Sequence, residues 1–102
     1  MKDNNLIWDI PVDDEDLDKI TYDRGDISYS KKGAHILHRT NGPAVIWSNG
    51  DKFWYQNDMS HRLDGPADEY ANGGKYWHYK GKYIECSSQE EFEKLIKLKA
   101  FW

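Results

Sequence analysis

The sequence predicts a mainly β chain of the α+β kind: an antiparallel β-hairpin repeat meander followed by a C-terminal amphipathic helix. Three observations predict it. His38-Arg39-Thr40-Asn41-Gly42-Pro43-Ala44 returns 23 residues later as His61-Arg62-Leu63-Asp64-Gly65-Pro66-Ala67, and Asn49-Gly50, Lys52 and Trp54 return as Asn72-Gly73, Lys75 and Trp77. Self-similarity at a fixed period of this length marks units that bury their apolar face only by stacking on a neighbour. Each copy also carries an Asn-Gly pair between extended, ring-rich segments, the strongest short-range hairpin signal. Beyond Cys86 the apolar spacing changes from strand-like to helix-like.

At 102 residues the chain is one structural domain with a modest core. It divides into an acidic N-terminal segment, residues 1–37, packed on or preceding the body; two hairpin repeats, residues 38–83; and a last strand with the helix, residues 84–102. With 5 Trp, 7 Tyr and 3 Phe but few aliphatic residues, stability has to come from rings, whose N–H and O–H groups need partners. No apolar run approaches the ~18 residues of a membrane span, and the first residues lack a signal peptide's apolar region. The chain therefore reads as cytoplasmic, and the single Cys86 agrees with a reducing compartment. The net charge of −4 is unevenly spread: residues 1–30 hold nine acids and three bases, residues 31–102 nine acids and eleven bases. That distribution argues against direct nucleic-acid binding and favours a basic partner.

Taken in order, Leu6 to Ile10 form a short apolar patch ended by Pro11. Asp13-Asp14-Glu15-Asp16 supplies caps and first-turn acids for one helical turn running through Leu17 and Ile20. Asp23-Arg24-Gly25-Asp26 is a turn, and Ile27 to Lys31 a strand, a degenerate leading copy of the repeat. In the first full copy a two-residue loop at Asn49-Gly50 sets Trp47 opposite Lys52 and Ile46 opposite Phe53. Trp47 and Trp54 then share one face, while Ile46, Phe53 and Tyr55 share the other. In the second copy Tyr70, Lys75 and Trp77 share a face opposite Tyr76 and His78. A ring facing a Lys in each copy suits a cation–π contact. Trp47, Trp54 and Trp77 are the expected structural rings. Gly42-Pro43 and Gly65-Pro66 are the expected structural turns, Gly supplying unusual backbone angles and Pro ending the pairing. In the tail, Ser88 and Glu91 form a capping box, acids precede lysines (Lys94, Lys97, Lys99), and Phe92, Leu95, Ile96, Leu98 and Trp102 make an apolar stripe.

The pattern His-Arg-x-Asn/Asp-Gly-Pro-Ala followed by Asn-Gly-x-Lys-x-Trp resembles a divergent MORN-type repeat, of the kind found in small proteins of tailed phages. The resemblance covers roughly residues 38–102 and implies a β-hairpin array, a phage origin and a role as an interaction module.

No residue set carries a catalytic or metal signature. His35 and His38 have ligand-like spacing, but nothing near them completes a zinc set, and repeat-equivalent His38 and His61 suggest a structural task such as bonding a neighbouring loop. Ser60-His61 are adjacent and so point to opposite faces of an extended segment. The expectation is a non-enzymatic, cofactor-free factor, with no membrane or direct nucleic-acid partner, that binds a host protein in the infected cell. Its concrete form is an anti-CRISPR-like inhibitor of a defence nuclease, with Asp13, Asp14, Glu15 and Asp16 entering a basic groove. Two alternatives stand beside it: a structural or self-assembling repeat protein, with homodimerisation open, and a small hydrolase or ligand-binding domain with a pocket of Trp54, Trp77 and His61.

Overall fold

The structure, a computed structural model, describes residues 6–98; the expectations placed on Lys99 and Trp102 lie outside these residues. One turn of 3-10 helix at Asp14–Asp16 leads into β1 (Leu17–Thr21), β2 (Ile27–Lys31), β3 (Val45–Ile46), β4 (Lys52–Phe53), β5 (Tyr55–Gln56), β6 (Met59–Ser60), β7 (Asp68–Glu69), β8 (Lys75–Tyr79) and β9 (Lys82–Ile84), followed by α1 (Gln89–Leu98). Seven strands form one sheet in the order β1-β2-β3-β4-β7-β8-β9, and β5 and β6 pair separately. Every pairing is antiparallel. The chain is thus mainly β with one helix, and the β5–β6 excursion between β4 and β7 departs from a simple meander.

The N-terminal turn is shorter than the acid run suggests. Leu17 is buried and pairs with Lys31, so β1 begins where a helix through Ile20 would have continued. Burial and ladder bonds outweigh the weak helical preference of four acids.

The Asn-Gly sites do reverse the chain, but through three residues rather than two. Val45 faces Phe53 and Ile46 faces Lys52. Trp47 N–H donates to the Asp51 carbonyl and Gly50 N–H to the Trp47 carbonyl, both at 2.9 Å, enclosing Ser48-Asn49-Gly50 with Gly50 at φ +102°. Tyr70 with Gly74 and Gly73, and Tyr22 with Asp26 and Gly25, repeat the same pair of bonds. This is a three-residue hairpin loop closed by a left-handed glycine. The two-residue left-handed turns lie elsewhere, at Asn57-Asp58 (φ 53° and 68°) and Lys80-Gly81 (φ 49° and 84°), again 23 residues apart.

The extra loop residue shifts one arm of each hairpin against the other, so that the side chains of one arm join the opposite face of its partner. Trp47 and Phe53 lie together, as do Tyr70, Tyr76 and His78, while Glu69, Lys75 and Trp77 point the opposite way. The expected pairing of a ring with Lys52 or Lys75 is therefore replaced, Lys52 facing Ile46 and Glu69, and Lys75 facing Glu69.

Helix α1 lies on the β8–β9 hairpin. Phe92, fully enclosed, packs with Trp77 and Ile84, and Tyr79, Cys86, Leu95 and Ile96 surround them. Burying a Phe of this kind contributes about 2–3 kcal/mol. Leu98, by contrast, is exposed. Glu91 N–H donates to Ser88 Oγ at 3.1 Å, half of the expected capping box. The return bond shifts by one residue, Glu91 accepting from Ser87 N–H at 2.8 Å. Trp77 Nε1–H donates to Gln89 Oε1 at 2.8 Å, and Gln89 Nε2 donates to the Leu63 carbonyl, so one side chain fastens the helix start to both β8 and the loop after His61.

Candidate functional site

The repeated motif has a structural account, residue by residue. His38 Nδ1 accepts the Asn57 N–H at 3.0 Å and His61 Nδ1 accepts the Lys80 N–H at 2.9 Å. Each imidazole thus caps the left-handed turn 19 residues ahead. His61 Nε2 also reaches both oxygens of Asp9, at 2.9 and 3.2 Å. Since Nδ1 is already an acceptor, Nε2 carries the proton, and the contact is a hydrogen bond from a neutral ring rather than an ion pair. Burial, opposed by Asp9, holds the His61 pKa below its ordinary value, and burial aided by Lys31 does the same to His38.

Arg39 lays its guanidinium 3.9 Å over the Tyr29 ring, and Arg62 lays its own 3.8 Å over Trp54. Each also donates to a proline carbonyl four residues on, Pro43 at 3.0 Å and Pro66 at 3.1 Å. The cations lying nearest the rings are therefore arginines, with Lys19 over Tyr29 and Lys80 over Trp8 and Tyr79 farther off at 5.4–5.9 Å. The glycines of the motif serve these arginines: a Cβ at Gly42 would stand 2.9 Å from Arg39 Nη1, and one at Gly65 would stand 2.6 Å from Arg62 Cζ. Neither glycine has a positive φ, so space and not unusual backbone geometry is what they supply. Ala44 and Ala67, each without exposed surface, fill the next position.

The acid run is divided. Asp14 forms a two-pronged ion pair with Arg39, at 3.0 and 2.7 Å, and that hydrogen bond holds its carboxyl below the usual range. Asp13, Glu15 and Asp16 are exposed around it.

A cleft of about 610 Å³ opens between the N-terminal segment and the body, lined among others by Asp9, Arg39, Trp54, His61 and Arg62. Trp77, expected beside Trp54 and His61, lies instead beneath α1. Both His61 nitrogens and both guanidinium groups are already engaged within the protein. Among the described residues no group of three His, Cys, Asp or Glu side chains could hold a metal ion, and no helix is long and apolar enough to cross a membrane.

The other face of the sheet is of a different kind. A row of rings crosses it: Trp47 to Phe53 at 5.5 Å between centroids, Phe53 to Tyr70 at 5.5 Å, Tyr70 to Tyr76 at 5.7 Å and Tyr76 to Tyr83 at 6.5 Å. Phe53 is buried, while Trp47, Tyr76 and Tyr83 are 49%, 44% and 52% exposed. The register places exposed Ile20 on this side too, since it faces Ser28, which in turn faces Val45. Charge divides with the faces. Lys19, Lys31, Lys52, Lys75 and Lys82 all fall on the side of Tyr29 and Trp77, whereas Asp18 and Asp68 fall on the ring side. Asp26, Asp51 and Glu85 extend that side at strand ends. Burial raises the pKa of Asp68, and burial together with the Asp68 charge raises those of Tyr55 and Tyr70.

The sequence reading sets Trp47 at the loop but on the face of Trp54, and puts Tyr70 and Tyr76 on opposite faces, whereas the structure brings Trp47, Tyr70 and Tyr76 into one row. The usable signal was the recurrence of an aromatic three residues before a glycine, at Tyr22-Gly25, Trp47-Gly50 and Tyr70-Gly73. No protein-family model matches the chain, and neither a curated protein nor a solved structure is similar to it.

Proposed function

We propose that the chain is a stoichiometric protein-binding factor, encoded by a phage and acting in the cytoplasm of the infected cell, that engages a host protein and blocks or redirects it. The observation that carries this reading is the row of half-exposed rings across one sheet face. Tyr and Trp supply large, stiff contact areas and dominate the energetics of protein interfaces. A stack of MORN-type hairpin units, as the sequence resemblance implies, is a scaffold that presents such a face with little conformational freedom to lose. The outward carboxylates of Asp13, Glu15 and Asp16 give a second contact surface, one suited to the basic groove of a nucleic-acid enzyme. Inhibition of a defence nuclease is thus the concrete form of the proposal.

The test uses three immobilised proteins in host lysate: the wild type, Trp47→Ala/Tyr76→Ala, and Asp13→Lys/Glu15→Lys/Asp16→Lys. A host protein held by the wild type and released by the ring variant, with circular dichroism unchanged, supports the reading, and its activity is then assayed with and without the chain. If all three retain the same proteins, the reading fails.

Self-assembly is favoured by one observation: among the described residues β1 pairs with β2 alone, leaving a five-residue edge that carries exposed Ile20. Light scattering that gives the mass of one chain at high concentration removes it.

A further inference from the structure

We infer that the ring face of the sheet receives an extended, arginine-rich protein segment; the inference rests on the protein-binding reading and names the partner's chemistry. Within the molecule, aromatic rings and arginines meet face to face twice, Arg39 on Tyr29 and Arg62 on Trp54. Those contacts belong to the side of the sheet that also carries the lysines. Across the sheet, the rings of Trp47, Tyr70, Tyr76 and Tyr83 have no lysine or arginine over them among the described residues.

The charges beside these rings all have one sign within the strands. Asp68 sits in the pairing ladder between Phe53 and Tyr76, and Glu85 follows β9. Asp26 and Asp51 keep their carboxylates at the strand starts, where they accept the Ser48 and Ala71 amides. Arg24 stands at the Trp47 end of the row, paired with Asp26 at 3.1 Å, while the strands that carry Tyr70, Tyr76 and Tyr83 border them with carboxylates; such a surface attracts cations with apolar, planar groups, and a guanidinium meets that description better than an ammonium. The phosphates of a nucleic acid are repelled by the same surface.

Spacing specifies the conformation of the guest. An extended segment turns every second side chain to the same side, about 6.6 Å apart. The exposed rings of Tyr70, Tyr76 and Tyr83 follow one another at 5.7 and 6.5 Å, and buried Phe53 stands between Tyr70 and Trp47. Arginines at alternate positions can therefore lie on successive rings while the carboxylates neutralise them.

The experiment titrates the full chain with the peptides (Arg-Ser)5, (Lys-Ser)5 and (Glu-Ser)5 and with oligouridylate, followed by the NMR resonances of the Trp47 indole and of Tyr70, Tyr76 and Tyr83. The expected result is a shift of these resonances by (Arg-Ser)5, with an affinity at least fivefold above that of (Lys-Ser)5. That affinity falls about tenfold as salt is raised from 50 to 300 mM, as expected for exposed charges. Trp47→Ala and Tyr76→Ala weaken it at least fivefold, whereas Leu63→Ala, on a distant exposed loop, leaves it unchanged. The inference is overturned by equal binding of (Glu-Ser)5, by tighter binding of oligouridylate, or by shifts confined to residues 13–16. Retention of a host protein through the ring face without any (Arg-Ser)5 binding overturns this inference alone; (Arg-Ser)5 binding with no host protein retained overturns only the broader reading.

Discussion

Gly65→Ala distinguishes two reasons for a glycine. The added methyl would stand 2.6 Å from Arg62 Cζ and 2.7 Å from Nη1, so the guanidinium must leave its place. It then gives up the stack on Trp54 at 3.8 Å, the bond to the Pro66 carbonyl at 3.1 Å and the ion pair with Glu69 at 2.9 Å. A partly desolvated cation–π contact contributes about 1 kcal/mol, a carbonyl bond about 1 kcal/mol and a half-exposed ion pair about 0.5 kcal/mol. The expected cost is the sum, about 2–3 kcal/mol, or roughly 10–15 °C in Tm for a domain of this size. In an Arg62→Ala background the same methyl meets no guanidinium. Because Gly65 has no positive φ, alanine there restricts mainly the unfolded chain and stabilises by roughly 0.4–1 kcal/mol. The effect of Gly65→Ala thus changes sign, and because the gain from the unfolded chain cancels in the double-mutant cycle, the coupling is about 2–3 kcal/mol. Urea melts of the four proteins, followed by tryptophan fluorescence and far-UV circular dichroism, measure it. An equal cost in both backgrounds would refute the space-filling account and restore backbone geometry as the reason.

Acid should loosen the fold through the two capping histidines. Both have folded-state pKa values below the ordinary 6.5, so the unfolded chain takes up more protons as pH falls. The stability they confer is complete above about pH 6.5, declines below it toward their folded pKa, and should show as a falling urea midpoint between pH 7.5 and 5.5. His61→Phe, which keeps a ring but cannot accept the Lys80 N–H, should flatten that slope and cost about 2–4 kcal/mol at pH 7.5. An unchanged slope would mean that His61 is not held neutral in the folded chain. Phe92→Ala should cost about 3–5 kcal/mol, by the removal of an enclosed ring from the Trp77–Ile84 cluster, and blue-shifted Trp77 emission should move to the red. A loss below about 1 kcal/mol would show that α1 contributes little to stability.

How much was legible in the sequence can be followed residue by residue. The helix was readable from Ser88, Glu91 and the spacing of Phe92, Leu95 and Ile96, because caps and period are local. The Asn-Gly reversals were readable as turns but not in length. Asn49 Oδ1 accepts the Asp51 N–H and Asn72 Oδ1 accepts the Gly74 N–H, both at 3.0 Å, and these side-chain bonds accompany a three-residue loop. Of the two-residue turns, the one at Lys80-Gly81 is readable from its glycine as the turn into the last strand, whereas Asn57-Asp58 has no glycine and escapes. Each holds its left-handed backbone with help from a histidine far back in the chain, a contact that no local pattern announces. The same holds for Gly42 and Gly65, whose purpose is visible only once an arginine is seen occupying the space where a side chain would be. One misjudged loop residue then matched the wrong faces of the two hairpin arms, and the ring row, the best candidate for recognition, vanished from view.

Asp26 holds the amide of Ser48 and Asp51 that of Ala71, each at 2.7 Å, so the acid opening one strand secures the loop of the next hairpin. Such stitching is directional and self-propagating. A further 23-residue segment copied from the first unit would arrive with its own acid to offer forward and its own amide to be held from behind, whereas the second unit ends the series with Gly74 in the place of Asp51. The molecule can therefore lengthen in whole steps without redesign of either end, and a longer version would carry a proportionally wider contact surface.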